Sequence, residues 1–133
     1  PDYLEKSGRP ILPDDLSQHD CVIMGRGLKN QHWRFLTEEG EITVPVKGRY
    51  AADNMQLVVE AAHNGMGVAQ VPHPLVLESL NEGKLIQVLA DYSPPKQSIY
   101  IIYPSHKYLA RNVRTFIDHV IESTTPHSPW EVK

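Results

Sequence analysis

The sequence predicts an α/β fold, and three observations carry that expectation. Through the second half of the chain, short apolar runs of strand length alternate with stretches whose apolar residues recur three and four positions apart. The 11 prolines and 8 glycines fall mostly between those stretches, where they end elements instead of diluting them. Hydrophobic residues make up 41% and charged residues 22% of 133, the composition of one folded domain and not of a disordered chain.

Taken in order, Asp2 to Ser7 predicts a short helix stopped by Gly8. Residues 9–13, Arg-Pro-Ile-Leu-Pro, form an extended connector, and residues 14–18 supply one helical turn. Cys21-Val22-Ile23-Met24 is a compact apolar strand. Trp33-Arg34-Phe35-Leu36 and Ile42-Thr43-Val44-Pro45-Val46 flank Glu38-Glu39-Gly40 as a hairpin. Pro45 has no N–H for a ladder, so its strand should lie at an edge or carry a bulge.

Asp53-Asn54-Met55-Gln56 has the form of a capping box, with the Asp53 carboxylate as N-cap and Gln56 three residues on. Leu57, Val58, Ala61 and Ala62 then mark one face of a helix that ends at Gly65. Residues 68–71 read as a short buried strand. Pro72-His73-Pro74 opens a second helix carrying Leu77 and Leu80 and stopping at Gly83. Residues 85–88 read as a strand, Ser93-Pro94-Pro95 as a break and residues 98–103 as a strongly apolar strand. A last helix, about residues 108–123, aligns Leu109, Val113, Phe116, Ile117, Val120 and Ile121; residues 124–133 form a frayed tail.

Several chemistries lack their residues. Thirteen Lys plus Arg against 16 Asp plus Glu give a net charge of −3, with no stripe for gripping phosphates. Arg111 and Arg114 are followed on the same helix by Asp118 and Glu122. No apolar run approaches the roughly 20 residues that span a bilayer, and no signal segment opens the chain, so no membrane partner and a cytoplasmic location are expected. With Pro1 in place of an initiator methionine, the chain reads as a piece of a longer protein. Cys21 is the single cysteine, which excludes an internal disulfide and a thiolate-rich zinc site.

The seven histidines stand as singletons at 19, 32, 63, 73, 106, 119 and 127, so no metal and no other cofactor is expected. His19, Asp20 and Cys21 alternate across a strand and cannot converge on one atom. Gly25-Arg-Gly27 and Gly65-Met-Gly67 lack the third glycine and following helix of a phosphate loop, and no Gly-x-Ser-x-Gly elbow occurs. No catalytic residues are assigned. One feature keeps functional content: the helix start after Asp53 offers free N–H groups and a positive dipole end, so the loop at residues 51–55 reads either as a plain cap or as facing a ligand.

The order of longer segments adds to this. It runs Pro1-Asp-Tyr-Leu, Gly8, Pro10, Asp15-Leu16-x-x-His19-Asp20-Cys21-Val22 and Trp33-Arg34-Phe35. Val44-Pro-Val-Lys-Gly48-Arg, Asp53-Asn54 and Leu57-Val-Val-x-Ala61-Ala-x-x-Gly65-Met-Gly67-Val-Ala-x-Val-Pro72 follow. Leu80-x-x-Gly83-Lys-Leu85, Tyr100-x-x-Tyr103-Pro-Ser, Lys107 and Arg111-Asn-Val-Arg-Thr-Phe-Ile-Asp118 complete it. This set, spanning residues 1–121, resembles the LysR-type transcriptional regulators.

The resemblance implies a periplasmic-binding-protein-like (type 2) effector domain. Residues 1–95 would be its second lobe, residues 96–123 a crossover strand and helix returning to the first lobe, and residues 124–133 a flexible tail. The winged helix-turn-helix that binds promoter DNA would lie outside this chain. A small-molecule effector would occupy the cleft between lobes and change the arrangement of a homodimer or tetramer. Effector-facing positions would be Tyr3, Met24, Ala52, Asp53, Asn54, Met55, Val71 and Pro72. A dimer surface would use Val46, Leu57, Val58 and Ala61. Two other classes share the two-lobed fold: a solute-binding protein, or an enzyme resembling prephenate dehydratases or deaminases.

Overall fold

The computed structural model describes residues 1–95, 100–103 and 110–124, and the chain divides into two compact units, Pro1–Pro95 and Lys96–Lys133. The first unit is built on a four-stranded mixed sheet: β1 (Asp20–Met24), β2 (Gln31–Thr37), β3 (Gly40–Ala52) and β4 (Val68–Ala69), in the order β2-β3-β1-β4. β1 runs parallel to both β3 and β4, while β2 and β3 form an antiparallel hairpin.

The 13-residue β3 serves two partners in succession. Gly40 to Val46 pair with β2, and Lys47 to Ala52 pair with β1. Pro45 lies in the first half, where β3 has a strand on one side only, so its missing N–H breaks no second ladder. Asp20, at the start of β1, takes Lys47 at 3.6 Å and Arg49 at 3.1 Å from β3, which fixes the register at that end.

β1 explains its own unbroken apolar run, because both its faces are covered. Cys21 and Ile23 face a cluster with Leu16, Phe35, Val44 and Val46; Val22 faces the other side, with Ala52, Val58 and Ala61. The second face is covered by helix α2 (Met55–His63). The first is covered by Leu16, on the 3-10 turn Pro13–Gln18, and by Trp33, Leu89 and Tyr92. A short helix, α1 (Asp2–Ser7), precedes that turn. α2 ends at Gly65, whose φ of +67° is a left-handed conformation; Gly65 N–H donates to the Ala62 carbonyl and Met66 N–H to that of Ala61, a Schellman closure.

In the first unit the structure corrects four of the expected elements. The cap of α2 is Asn54, not Asp53: its Oδ1 accepts the Gln56 N–H at 2.8 Å, whereas Asp53 is turned towards Arg26. The strand at 68–71 contracts to Val68–Ala69. The helix expected from Pro74 to Gly83 is interrupted at Val76, with φ −124° and ψ 2°, into a 3-10 turn (His73–Leu75) and α3 (Leu77–Asn81). Residues 85–88 are not a strand. Arg9 donates to the Gln87 carbonyl, and the edge of β2 is met further on, where Leu36 N–H donates to the Ser93 carbonyl at 2.8 Å.

In the second unit, Tyr100–Tyr103 are not in a strand; Ser98 and Ile99 of that expected strand lie outside the described residues, as do Tyr108, Leu109 and the tail from Thr125. Helix α4 (Arg111–Thr124) is formed. Ile117 and Val120 are half-buried beside Tyr100, Ile101 and Tyr103, whereas Val113, Phe116 and Ile121 stay exposed.

Candidate functional site

The three parallel strands end at one edge of the first unit, at Met24, Ala52 and Ala69. The loops that leave this edge carry most of the residues expected to face a ligand. Gly25 N–H donates to the Ala52 carbonyl at 2.8 Å, joining the exits of β1 and β3. Ala52 is buried beneath the edge, Met55 is half-buried against the Val22 cluster, and Met24, Asp53 and Asn54 are exposed. The α2 helix begins here with its positive dipole end, which favours negative charge.

Asp53 meets Arg26 at 3.4 Å, but both side chains are mostly exposed, and such a pair contributes at most about 1 kcal/mol. The pair therefore leaves the Asp53 carboxylate accessible at the same edge as the helix start. The edge offers a hydrogen-bonding amide, an acid, a thioether and a helix dipole. Such groups bind and orient a small polar molecule.

Tyr3, Val71 and Pro72 lie elsewhere. They line a cavity of about 390 Å³ to which Met24 and Ala52 to Met55 do not contribute. The Tyr3 hydroxyl accepts the Asp20 N–H at 2.8 Å and shares a hydrogen bond with His19 Nδ1 at 3.2 Å. It is thus committed to the start of β1, and Met24 stands four residues along that strand, about 13 Å away at 3.3 Å per residue. Tyr3 and Met24 therefore do not form one contact set. Val71 packs against the Val22 cluster as well as lining the cavity.

Of the four residues expected on a dimer surface, Val46, Val58 and Ala61 are buried inside this chain. The two β-strand faces and α2 need them as core, so only Leu57, half exposed, can meet a partner. Cys21 is fully buried and its thiol is pushed up to about 12, chiefly by that burial, so it is neither nucleophile nor metal ligand near neutral pH. Among the described residues no group of three His, Cys, Asp or Glu could hold a metal, and no helix is long and apolar enough to cross a membrane.

Two features have no signature in the sequence. His63 Nε2 and Ser79 Oγ share a hydrogen bond of 2.9 Å that ties α2 to α3, with Glu60 3.9 Å from His63 Nδ1. His73, on the cavity wall, keeps a buried Nδ1 with no hydrogen-bond partner. Neither feature has a sequence spacing that marks it, since each depends on how α3 and its preceding turn pack.

A family model described as the LysR substrate binding domain matches residues 1–125. Among curated proteins, the chain is similar to the probable HTH-type transcriptional regulator LtrA of Klebsiella pneumoniae, 28% identical over 124 residues, covering 91% of this chain and 40% of the relative. It is also similar to the uncharacterised HTH-type transcriptional regulator YcaN of Escherichia coli, 31% identical over 121 residues, covering 90% and 39%. Among solved structures, it is similar to the full-length Vibrio cholerae virulence activator AphB, a member of the LTTR family, with a TM-score of 0.73 and 30% identity, covering 92% of this chain and 42% of that one. The chain thus spans about two fifths of the length of these relatives.

Proposed function

The chain belongs to the LysR substrate binding domain family, and from that membership we propose that it is the effector-sensing part of a transcriptional regulator acting in the cytoplasm. What carries this reading is the family match over residues 1–125, supported by regulators of the HTH type among the curated relatives. Those relatives favour neither the solute-binding protein nor the related enzyme. Promoter DNA is bound through a helix-turn-helix module elsewhere in the regulator, and this domain performs no catalysis. The unit Pro1–Pro95 acts as the second lobe of a periplasmic-binding-protein-like domain; residues 96–123 return to the first lobe.

The effector is a small molecule held where β1 and β3 end, against Met24, Asp53, Asn54 and Met55, with Ala52 beneath. In open α/β folds this is where ligands sit, beyond the carboxyl ends of strands and beside a helix start. Binding shifts a homodimer or tetramer only through its difference in affinity for the two arrangements.

A thermal-shift screen of a protein carrying both lobes, against small carboxylates, amino acids, aromatics and sugars, tests this. A ligand at about 100 times its Kd adds near 2.7 kcal/mol and raises the midpoint. The reading expects a hit that weakens at least tenfold in Asn54→Ala or Met55→Ala. A hit indifferent to both substitutions would move the effector away from this edge.

A further inference from the structure

We propose that the first unit carries a second ligand site, separate from the strand-end edge: a half-open pocket for a neutral, planar ring compound. The cavity of about 390 Å³ lies along β4, with Leu16, Trp33 and Phe35 of the first cluster on one side and Ala62 of α2, Ala69 and Val71 on the other. Its size falls within the roughly 300–1,000 Å³ of small-molecule sites. The floor is the sheet and its first cluster, through Leu16, Phe35 and Val68; the walls come from α1, α3 and residues 85–94.

Its chemistry selects the ligand class. Among the described residues lining the cavity there is no Asp, Glu, Lys or Arg. An ion entering it would lose its hydration without gaining a counter-charge, a cost of several kcal/mol that neutral molecules escape. Trp33, Phe35 and Tyr92 supply aromatic surface against which a flat ring stacks or packs edge to face. The wall also holds one unmade hydrogen bond, at the buried Nδ1 of His73. Buried polar atoms are nearly always paired, so a single N–H or O–H on the ligand completes the site once the imidazole turns towards the lumen.

The outer wall, residues 85–94, forms no sheet ladder. Bonds from Leu85 N–H to the Ser79 carbonyl, from Arg9 to the Gln87 carbonyl and from Leu36 N–H to the Ser93 carbonyl hold it at three points. A wall fixed at three points leaves room for the cavity that a fully paired strand would close.

Indole is a suitable probe, because it is neutral, flat and carries one N–H. The full chain, labelled at its methyl groups, is titrated with indole and in parallel with indole-3-acetate while NMR follows each methyl. Saturable shifts at Leu16, Val68 and Leu89, with at least tenfold weaker binding of the carboxylate, are expected. Leu80→Trp, which fills the cavity from α3, should weaken indole at least tenfold. Ala90→Trp, at an exposed lining position, makes the same test where Leu80→Trp does not fold. Absence of saturable shifts, equal binding of the carboxylate, or shifts confined to Met24 and Met55 would overturn the proposal; only the last would place indole at the strand-end edge.

Discussion

The carbonyl oxygen of Asp20 occupies the place where a Cβ on Gly67 would stand. Gly67 has a φ of +150°, in the region L side chains avoid, and it is where the chain leaves the α2 turn to lay β4 beside β1. The close approach of two backbones is what the second glycine of Gly65-Met-Gly67 permits; the first closes α2. Gly67→Ala should therefore destabilise by at least about 2 kcal/mol, combining steric overlap with backbone strain. Gly40→Ala, with φ +128° and nothing within 4 Å of its added carbon, carries the strain without the overlap and should cost less. Urea midpoints of the two variants test the difference.

The helix cap gives a second, sharper contrast. Asn54→Ala removes the acceptor of the Gln56 N–H and should cost about 1 kcal/mol, within the ~0.5–2 seen for N-caps. Asp53→Ala removes only an exposed pair with Arg26 and should change stability by less than about 0.5 kcal/mol. Equal losses would return the cap to Asp53.

Asp15 links stability to pH. Its Oδ2 accepts the Leu12 and Ile11 N–H groups, both at 2.9 Å, and these bonds hold its carboxyl below the ordinary carboxylate value. A depressed folded-state value makes the contribution fully present above the unfolded value, near pH 4, and lost as pH falls through the folded one. The stability gap between the native chain and Asp15→Asn should therefore be flat from pH 8 to about 5 and close only below about pH 4. A gap that varies near neutrality would assign it to another group.

Cys21 should be silent until the fold opens. Burial removes both access and thiolate, the thiol being pushed up to about 12. A thiol reagent at pH 8 should label almost none of the native chain and one equivalent in denaturant. Rapid native labelling would mean that β1 is not covered on both faces.

How much was legible follows from what each element depends on. The apolar run of β1, the hairpin around Gly40 and the α2 stripe rest on local pattern, and each formed where it was expected. Residues 85–88 are a similarly apolar run of strand length, but whether they join a sheet depends on a free strand edge. The edge of β2 is met by Ser93 instead. The choice between Asp53 and Asn54 as cap turns on whether the backbone becomes helical at residue 54 or at 55, and both residue types suit the cap position; Asn54 is still extended, with φ −124° and ψ 123°. The cavity draws its walls from α1, β2, α2, β4, α3 and residues 85–94, so no stretch of sequence announces it.

The α2 helix separates core from exposed surface within two adjacent residues. Val58 is fully buried beneath the sheet and Leu57 is half exposed. Val58→Ala should cost about 2 kcal/mol, from lost burial of its methyl groups and the space they leave. Leu57→Glu should leave the melting temperature within about 2 °C, since an exposed site away from the core tolerates change. If α2 forms the contact between two copies of the regulator, Leu57→Glu should nonetheless weaken dimerisation at least tenfold by sedimentation equilibrium, because it puts a charge where apolar surface is removed from water. A dimer unchanged by Leu57→Glu would take α2 out of the interface, since Val46, Val58 and Ala61 are buried in the core.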